Sequence, residues 1–157
     1  MPYLTAVCQE ILRIYSIVIA GFLQVVIPLR LWVINCQRKQ SFIIPSIYPA
    51  HYREEVYPEP KKFKPERFLE RQLTPYEYLP FAGGNRRCIG LAFAQYEMKI
   101  ILATTFANFQ LSFLNKRPVN AVRRDLTLAA PAGIKMIATE QTKLRQQSNS
   151  KHPETLI

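Results

Sequence analysis

Glycine is scarce in this chain of 157 residues: there are five, and none falls between Gly21 and Gly83. That long interval offers no residue able to take a left-handed turn without steric cost. Cysteine is also sparse, with Cys8, Cys36 and Cys88 far apart and odd in number. Such usage excludes a disulfide framework and suits a reducing compartment. Only two histidines occur, His51 and His152, and neither has a partner at zinc spacing, which argues against a Cys/His metal cluster. No internal repeat, P-loop or dinucleotide fingerprint is present, since Gly83-Gly84-Asn85 lacks the spacing for one. Acidic residues number 11 against 21 basic ones, a net charge of +10. The hydrophobic share of 48% is that of a globular chain, long enough for one modest domain.

Proline is plentiful instead: four of the twelve lie from Pro58 to Pro75 and mark an irregular extended segment. Basic residues gather there and just beyond, at Lys61, Lys62, Lys64, Arg67, Arg71, Arg86 and Arg87. Charge alone is most simply a solvated surface; a basic face toward an acidic partner, nucleic acid or a membrane is the sharper reading. Glu54 and Glu55 read as solvated surface carboxylates, not as an acid–base pair.

The most informative stretch is Phe81 to Gly90, F-A-G-G-N-R-R-C-I-G, with a long apolar helical pattern behind it. Three glycines in so short a run mean a sharply bent backbone or a close approach to something. A cysteine in a tight loop beside Arg86 and Arg87, at a helix start, suits ligation of a soft metal centre such as a haem iron. A lone cysteine is more often an ordinary small buried residue. The spacing F-x-x-G-x-R-x-C-x-G outweighs that reading and resembles the cysteine-ligand loop of the cytochrome P-450 family. The resemblance implies Cys88 as the axial ligand of haem b iron and Arg86 as a propionate partner. It also implies Phe81 beside the loop, and Gly84 and Gly90 for the turn and the approach to the porphyrin. Ala94 and Glu97 stand at family positions on the helix that follows.

Upstream, Leu4, Val7, Cys8, Ile11, Leu12 and Tyr15 form one apolar helical stripe. Glu10 and Arg13 share a face of that helix and can pair. The pair resembles the family's Glu-x-x-Arg motif, and Pro65-Glu66-Arg67-Phe68 resembles its later partner. The resemblance then implies a buried network of Glu10, Arg13 and Arg67 that fixes the haem-cradling loop.

Residues 14–34 are very apolar and near the length of a membrane span, but Gln24, Pro28 and Arg30 speak against one. No basic region precedes the run, so a secretory signal is not expected. The resemblance makes residues 17–22 a short substrate-facing strand, favouring an apolar substrate. It also exposes a departure: Leu23-Gln24 stands where the family has Pro-Arg for a second propionate contact. Residues 28–42 should be strand, glycine turn, strand; with no glycine there, a well-made sheet is not expected. Residues 43–48 read as a short strand, and the proline-rich coil follows.

Beyond Cys88, the offsets of Leu91, Ala94, Met98, Ile101, Leu102, Thr105 and Phe109 predict a long helix with one apolar side. Leu126 and Leu128, the turn Pro131-Ala132-Gly133, then Ile134, Met136 and Ala138 predict a β-hairpin. The family would place residues 130–134 of that hairpin in the substrate pocket. From about Thr139 the chain is polar and is expected to be disordered.

These readings combine into a mainly α fold with small β elements (α+β), a C-terminal fragment of the P-450 fold over residues 1–138. By resemblance the function is monooxygenation of an apolar substrate, with electrons from an acidic ferredoxin- or flavodoxin-like protein docked on the basic cysteine side. The family's distal oxygen-activating helix is missing, so the chain alone is expected to be inactive. A cytoplasmic location is expected. The competing classes are a non-enzymatic basic binding module and a membrane-anchored fragment.

Overall fold

In this computed structural model, residues 1–114, 119–125 and 127–140 are described. Of the tail expected to be disordered from Thr139, residues 141–157 lie outside them, as does Leu126 of the expected hairpin; Thr139 and Glu140 instead belong to a paired strand. Helix α1 spans Pro2–Ile14, with Pro2 in its first turn, where a missing N–H costs nothing. Strands β1 (Leu23–Gln24), β2 (Leu29–Leu31), β3 (Ile34–Cys36) and β4 (Phe42–Ile43) follow. Then come the short helices α2 (Ile47–Ala50) and α3 (Arg67–Glu70), a 3₁₀ turn at Gly84–Arg86, and the long helix α4, Leu91–Asn108. The C-terminal part holds β5 (Phe109–Phe113), β6 (Val122–Arg124), β7 (Thr127–Ala129) and β8 (Met136–Glu140). The strands form antiparallel two-stranded ribbons, β1 with β4, β2 with β3, β5 with β8 and β6 with β7.

Helix α1 packs on α3 and α4 and is the axis of the molecule. Its fully buried residues are Ala6, Cys8, Glu10, Leu12 and Arg13. The apolar stripe read from the sequence is therefore only half of what is covered. Cys8 and Leu12 are buried, but Tyr15 is exposed, while Glu10 and Arg13 go inward beside Ala6. The buried core includes Val25, Cys36, Ile47 and Tyr57, yet its largest fully buried side chains begin with Arg13, Tyr57, His51 and Glu10. The centre is polar and ringed by a few apolar residues.

Three expectations are corrected. Residues 28–42 do make a sheet: β2 and β3 pair in the register Leu29↔Cys36, Arg30↔Asn35 and Leu31↔Ile34. The turn that would ask for glycine is made by Trp32 at φ 53°, its ring 95% exposed, with Arg30 Nε donating to Trp32 O at 3.0 Å. The strand expected over residues 43–48 stops at Ile43, because Ser46 caps α2 and Ile47 already lies within it.

The third correction concerns the C-terminal hairpin. The segments on either side of Pro131-Ala132-Gly133 do not pair with each other. Met136–Glu140 pairs with β5, in the register Leu111↔Ala138, and Thr127–Ala129 pairs with β6. Gly133 does turn the chain, at φ 79°, but β5 emerges straight from α4 and offers a longer edge.

Helix α4 also differs from its expected pattern. Leu91, Ala94, Met98 and Leu102 are half-buried, as a single stripe requires. The opposite side carries Phe93, Tyr96 and Ile100, all exposed, so the helix is apolar all round. No residue of α4 is fully buried. A helix of that composition is normally enclosed by other elements.

Trp32→Gly tests the hairpin turn. Relief of the left-handed strain on a non-glycine residue outweighs the entropy cost of glycine, so stability should rise by roughly 0.5–1 kcal/mol. A denaturant midpoint that fell or stayed put would contradict it.

Candidate functional site

The proline-rich coil creates a hydrogen-bonding problem that the charged residues solve. Prolines at 58, 60 and 65 donate nothing, and the irregular backbone leaves carbonyls without ladder partners. Arg13 reaches into that coil. Its Nη1 donates to His51 O at 2.7 Å and its Nη2 to Pro60 O at 2.7 Å. On the other side Nε donates to Glu10 Oε2 at 2.7 Å and Nη2 to Glu10 Oε1 at 3.0 Å, a forked pair across one turn of α1. Arg67 Nε adds a bond to Glu10 Oε1 at 3.2 Å, and Lys64 N another at 2.9 Å. Arg67 Nη1 donates to Pro58 O at 3.1 Å. Aromatic faces close the cage, with the Arg13 guanidinium 5.0 Å from the Tyr57 ring centre and 5.6 Å from that of Tyr52. The structure thus brings Glu10, Arg13 and Arg67 into one buried cluster. Arg67 Nη2 is its one buried polar atom without a partner among the described residues.

Sequence reading missed the residues that carry this cluster onward. His51 is fully buried, and burial holds its imidazole down from 6.5 to about 4, so it is neutral. Tyr78 stacks on it at 5.7 Å and donates from its hydroxyl to Gln9 O at 3.1 Å. Tyr57 donates to Glu77 O at 2.8 Å, and burial pushes its phenol well up. In the sequence His51 was only a histidine without zinc spacing; no local pattern marks it as buried.

The cysteine loop leaves from there. Tyr78 is followed by Leu79, whose carbonyl accepts from Ala82 N at 3.0 Å. Ala82 and Gly84 both take positive φ, 58° and 61°, so the chain folds tightly on itself. Cys88 N then donates to Phe81 O at 2.9 Å, closing the loop. Cys88 precedes α4, whose cap is Gly90. Of the three free cysteines, Cys8 and Cys36 are buried and Cys88 is exposed. Its sulfur is therefore presented, not packed away as an ordinary buried cysteine would be. A Cβ placed on Gly90 would lie 3.8 Å from Cys88 Sγ, in ordinary contact, so Gly90 sits directly beside the sulfur. Phe81 is half-buried, while Arg86 and Arg87 are exposed and without a salt bridge among the described residues. One exposed soft donor in a tight loop and free cations beside it fit an anionic macrocycle with a thiolate-binding iron.

A family model described as Cytochrome P450 matches residues 1–137. The chain belongs to the cytochrome P450 family. Mouse cytochrome P450 3A16 is 40% identical over 114 residues, covering 69% of this chain and 22% of that protein. The putative cytochrome P450 138 of Mycobacterium tuberculosis (strain CDC 1551 / Oshkosh) is 41% identical over 80 residues, 51% of this chain and 18% of that protein. A solved structure of retinoic acid-bound cyanobacterial CYP120A1 superposes with a TM-score of 0.80 at 27% identity, covering 89% of this chain and 33% of that one. The chain thus spans 15–22% of the length of such curated P450 relatives and about a third of the solved P450 structures.

Other expected residues fall as follows. Gln24 lies in β1 and its Nε2 donates to Lys39 O at 3.3 Å. Ile17, Ala130 and Pro131 share the wall of an open apolar hollow of about 560 Å³ with Ile11, Tyr15 and Phe113. Arg67 must be struck from the basic surface, since the Glu10 cluster buries it. Lys62 pairs with Glu59, and Arg71 with Glu77. No helix among the described residues is long and apolar enough to cross a membrane.

Two measurements check the cluster. Arg13→Met removes both Arg13 bonds to buried Glu10, leaves its Oε2 without a donor and only the longer Arg67 pair at 3.2 Å, and should cost about 3–5 kcal/mol by denaturant titration. Adding Glu10→Gln should recover part of that loss, giving a non-additive double-mutant cycle; strict additivity would contradict the coupling. For His51 the folded pKa lies below the unfolded one, so the unfolded chain takes up the proton first as pH falls. Stability present above pH 6.5 should be lost as pH drops through about 4, and His51→Gln should flatten that window.

Proposed function

We propose that this chain forms the cysteine side of a haem-thiolate monooxygenase, with Cys88 as the axial ligand of haem b iron. The observation that carries the reading is the exposed Cys88 in a loop closed by its own N–H on Phe81 O. Phe81, Gly84 and Gly90 shape the loop against the porphyrin, and Arg86 binds a propionate. Gln24 offers an uncharged donor in the place of the family's second arginine, so that propionate is held less strongly. When bound, the haem would supply dioxygen activation and insertion of one oxygen atom into an organic substrate.

The chain's own residues have three tasks. The Glu10–Arg13–Arg67 cluster holds the proline-rich coil and, through it, the approach to the loop. The cations without a salt bridge among the described residues, Lys61, Lys64, Arg86 and Arg87, attract an acidic electron-transfer protein of ferredoxin or flavodoxin type. The hollow lined by Ile11, Tyr15, Ile17 and Phe113 favours an apolar substrate. Retinoic acid, bound by the cyanobacterial relative, is of that kind. Unpaired thiols suit a cytoplasmic compartment.

The chain alone is inactive in this reading. Helix α4 and the hollow leave apolar surface open, so water is not excluded from the reacting centre. Haem reconstitution of wild type and Cys88→Ala tests the whole. The reduced, CO-bound wild type should show a thiolate-type absorption band, absent from the variant, and no substrate turnover. Identical spectra from both would remove Cys88 from the iron; turnover would refute inactivity.

A further inference from the structure

We propose that His51 is a positioning residue for the cysteine loop, because its ring ties the backbone of Leu79, where that loop begins, to the end of α1. The inference rests on the reading of Cys88 as the iron ligand. Both ring nitrogens are engaged. Leu79 N donates to His51 Nε2 at 2.8 Å. A backbone N–H can only donate, so Nε2 carries no proton and the hydrogen sits on Nδ1. Nδ1 therefore donates to Ser16 Oγ, 2.8 Å away. Ser16 lies just past α1, and its hydroxyl bonds back to Leu12 O at 3.2 Å. The His51 carbonyl meanwhile accepts from Arg13 Nη1 at 2.7 Å. One residue is thus held by the buried cluster at its backbone and by the helix end at its ring.

The effect passes to the sulfur by short covalent and hydrogen-bonded steps. The Leu79 backbone is held at two points: its N–H donates to His51 and its carbonyl accepts from Ala82 N at 3.0 Å. Two residues later, Phe81 O accepts from Cys88 N at 2.9 Å. A shift at Leu79 therefore displaces the carbonyl that closes the loop around Cys88. Without the imidazole, Leu79 N would be a donor with no protein partner in a half-buried place, a state that relaxes by moving the backbone.

The test uses the full chain as wild type, His51→Leu, His51→Gln and Cys88→Ala. Glutamine is chosen because its side-chain oxygen can accept the same bond. Hydrogen exchange at the Leu79 amide is read without haem, with the Leu102 amide in α4 as control. The share of thiolate-type absorption in the reduced CO form is read with haem. In His51→Leu, exchange at Leu79 should quicken about tenfold with Leu102 unchanged. The thiolate-type share should fall, and His51→Gln should restore both.

Unchanged Leu79 exchange in His51→Leu, or faster exchange with an unchanged thiolate-type share, overturns the proposal. If His51→Leu does not fold, the glutamine variant decides: wild-type values in both readouts support the role, and loss of either overturns it. Should wild type and Cys88→Ala give the same spectrum, the ligand reading fails by itself, and Leu79 exchange still supports or refutes the tie.

Discussion

A guanidinium with no water around it organises this molecule. Arg13 is fully buried, and its four hydrogen bonds go to Glu10 and to two backbone carbonyls of the coil. Desolvating such a charge is expensive, and the return comes only with complete satisfaction. The coil supplies that satisfaction because it cannot pair with itself. Its prolines and turns, including Glu59 at φ 53° between Pro58 and Pro60, leave carbonyls facing inward. The helix needs acceptors and the coil needs donors, so each element completes the other. Apolar residues of equal volume could stabilise such a centre as well. They would not specify which carbonyl meets which helix turn.

That distinction explains an odd partition of the surface. The packed centre is polar, while much of the apolar side-chain area, from Phe22 through Phe93 to Ile137, faces outward. A chain held by hydrophobic burial alone would not leave α4 uncovered. The cluster instead fixes geometry locally and leaves the apolar faces open. The chain covers about a third of the solved P450 structures it resembles.

What could be read from the sequence follows from range. Glu10 and Arg13 are three apart on a helix, and the loop around Cys88 is ten residues, so both were legible as local patterns. The link from Arg67 to Glu10 was legible only through resemblance, being a contact between distant parts of the chain. His51 was not legible at all: its bonds to Ser16 and Leu79 span 35 and 28 residues, and nothing beside it in the sequence announces burial. Strand pairing failed for the same reason. The turn at Gly133 was found, but which strands it separates depends on the edge that β5 offers.

The glycine-free hairpin shows the converse. Its turn is made by Trp32, a residue ill suited to positive φ, and the ring is left in solvent. The strain is tolerable because the hairpin stands apart from the centre. Of residues 25–39, only Val25 and Cys36 are buried, and neither bonds to the Glu10 cluster. Sequence can therefore drift there at a cost of about 1–2 kcal/mol per strained residue. At Arg13 a single change removes four bonds at once and takes the donor from one oxygen of a buried carboxylate. Constraint in this chain is concentrated where donors and acceptors must match one for one. The path from Arg13 through His51 and Leu79 to Cys88 is where that matching reaches the exposed cysteine.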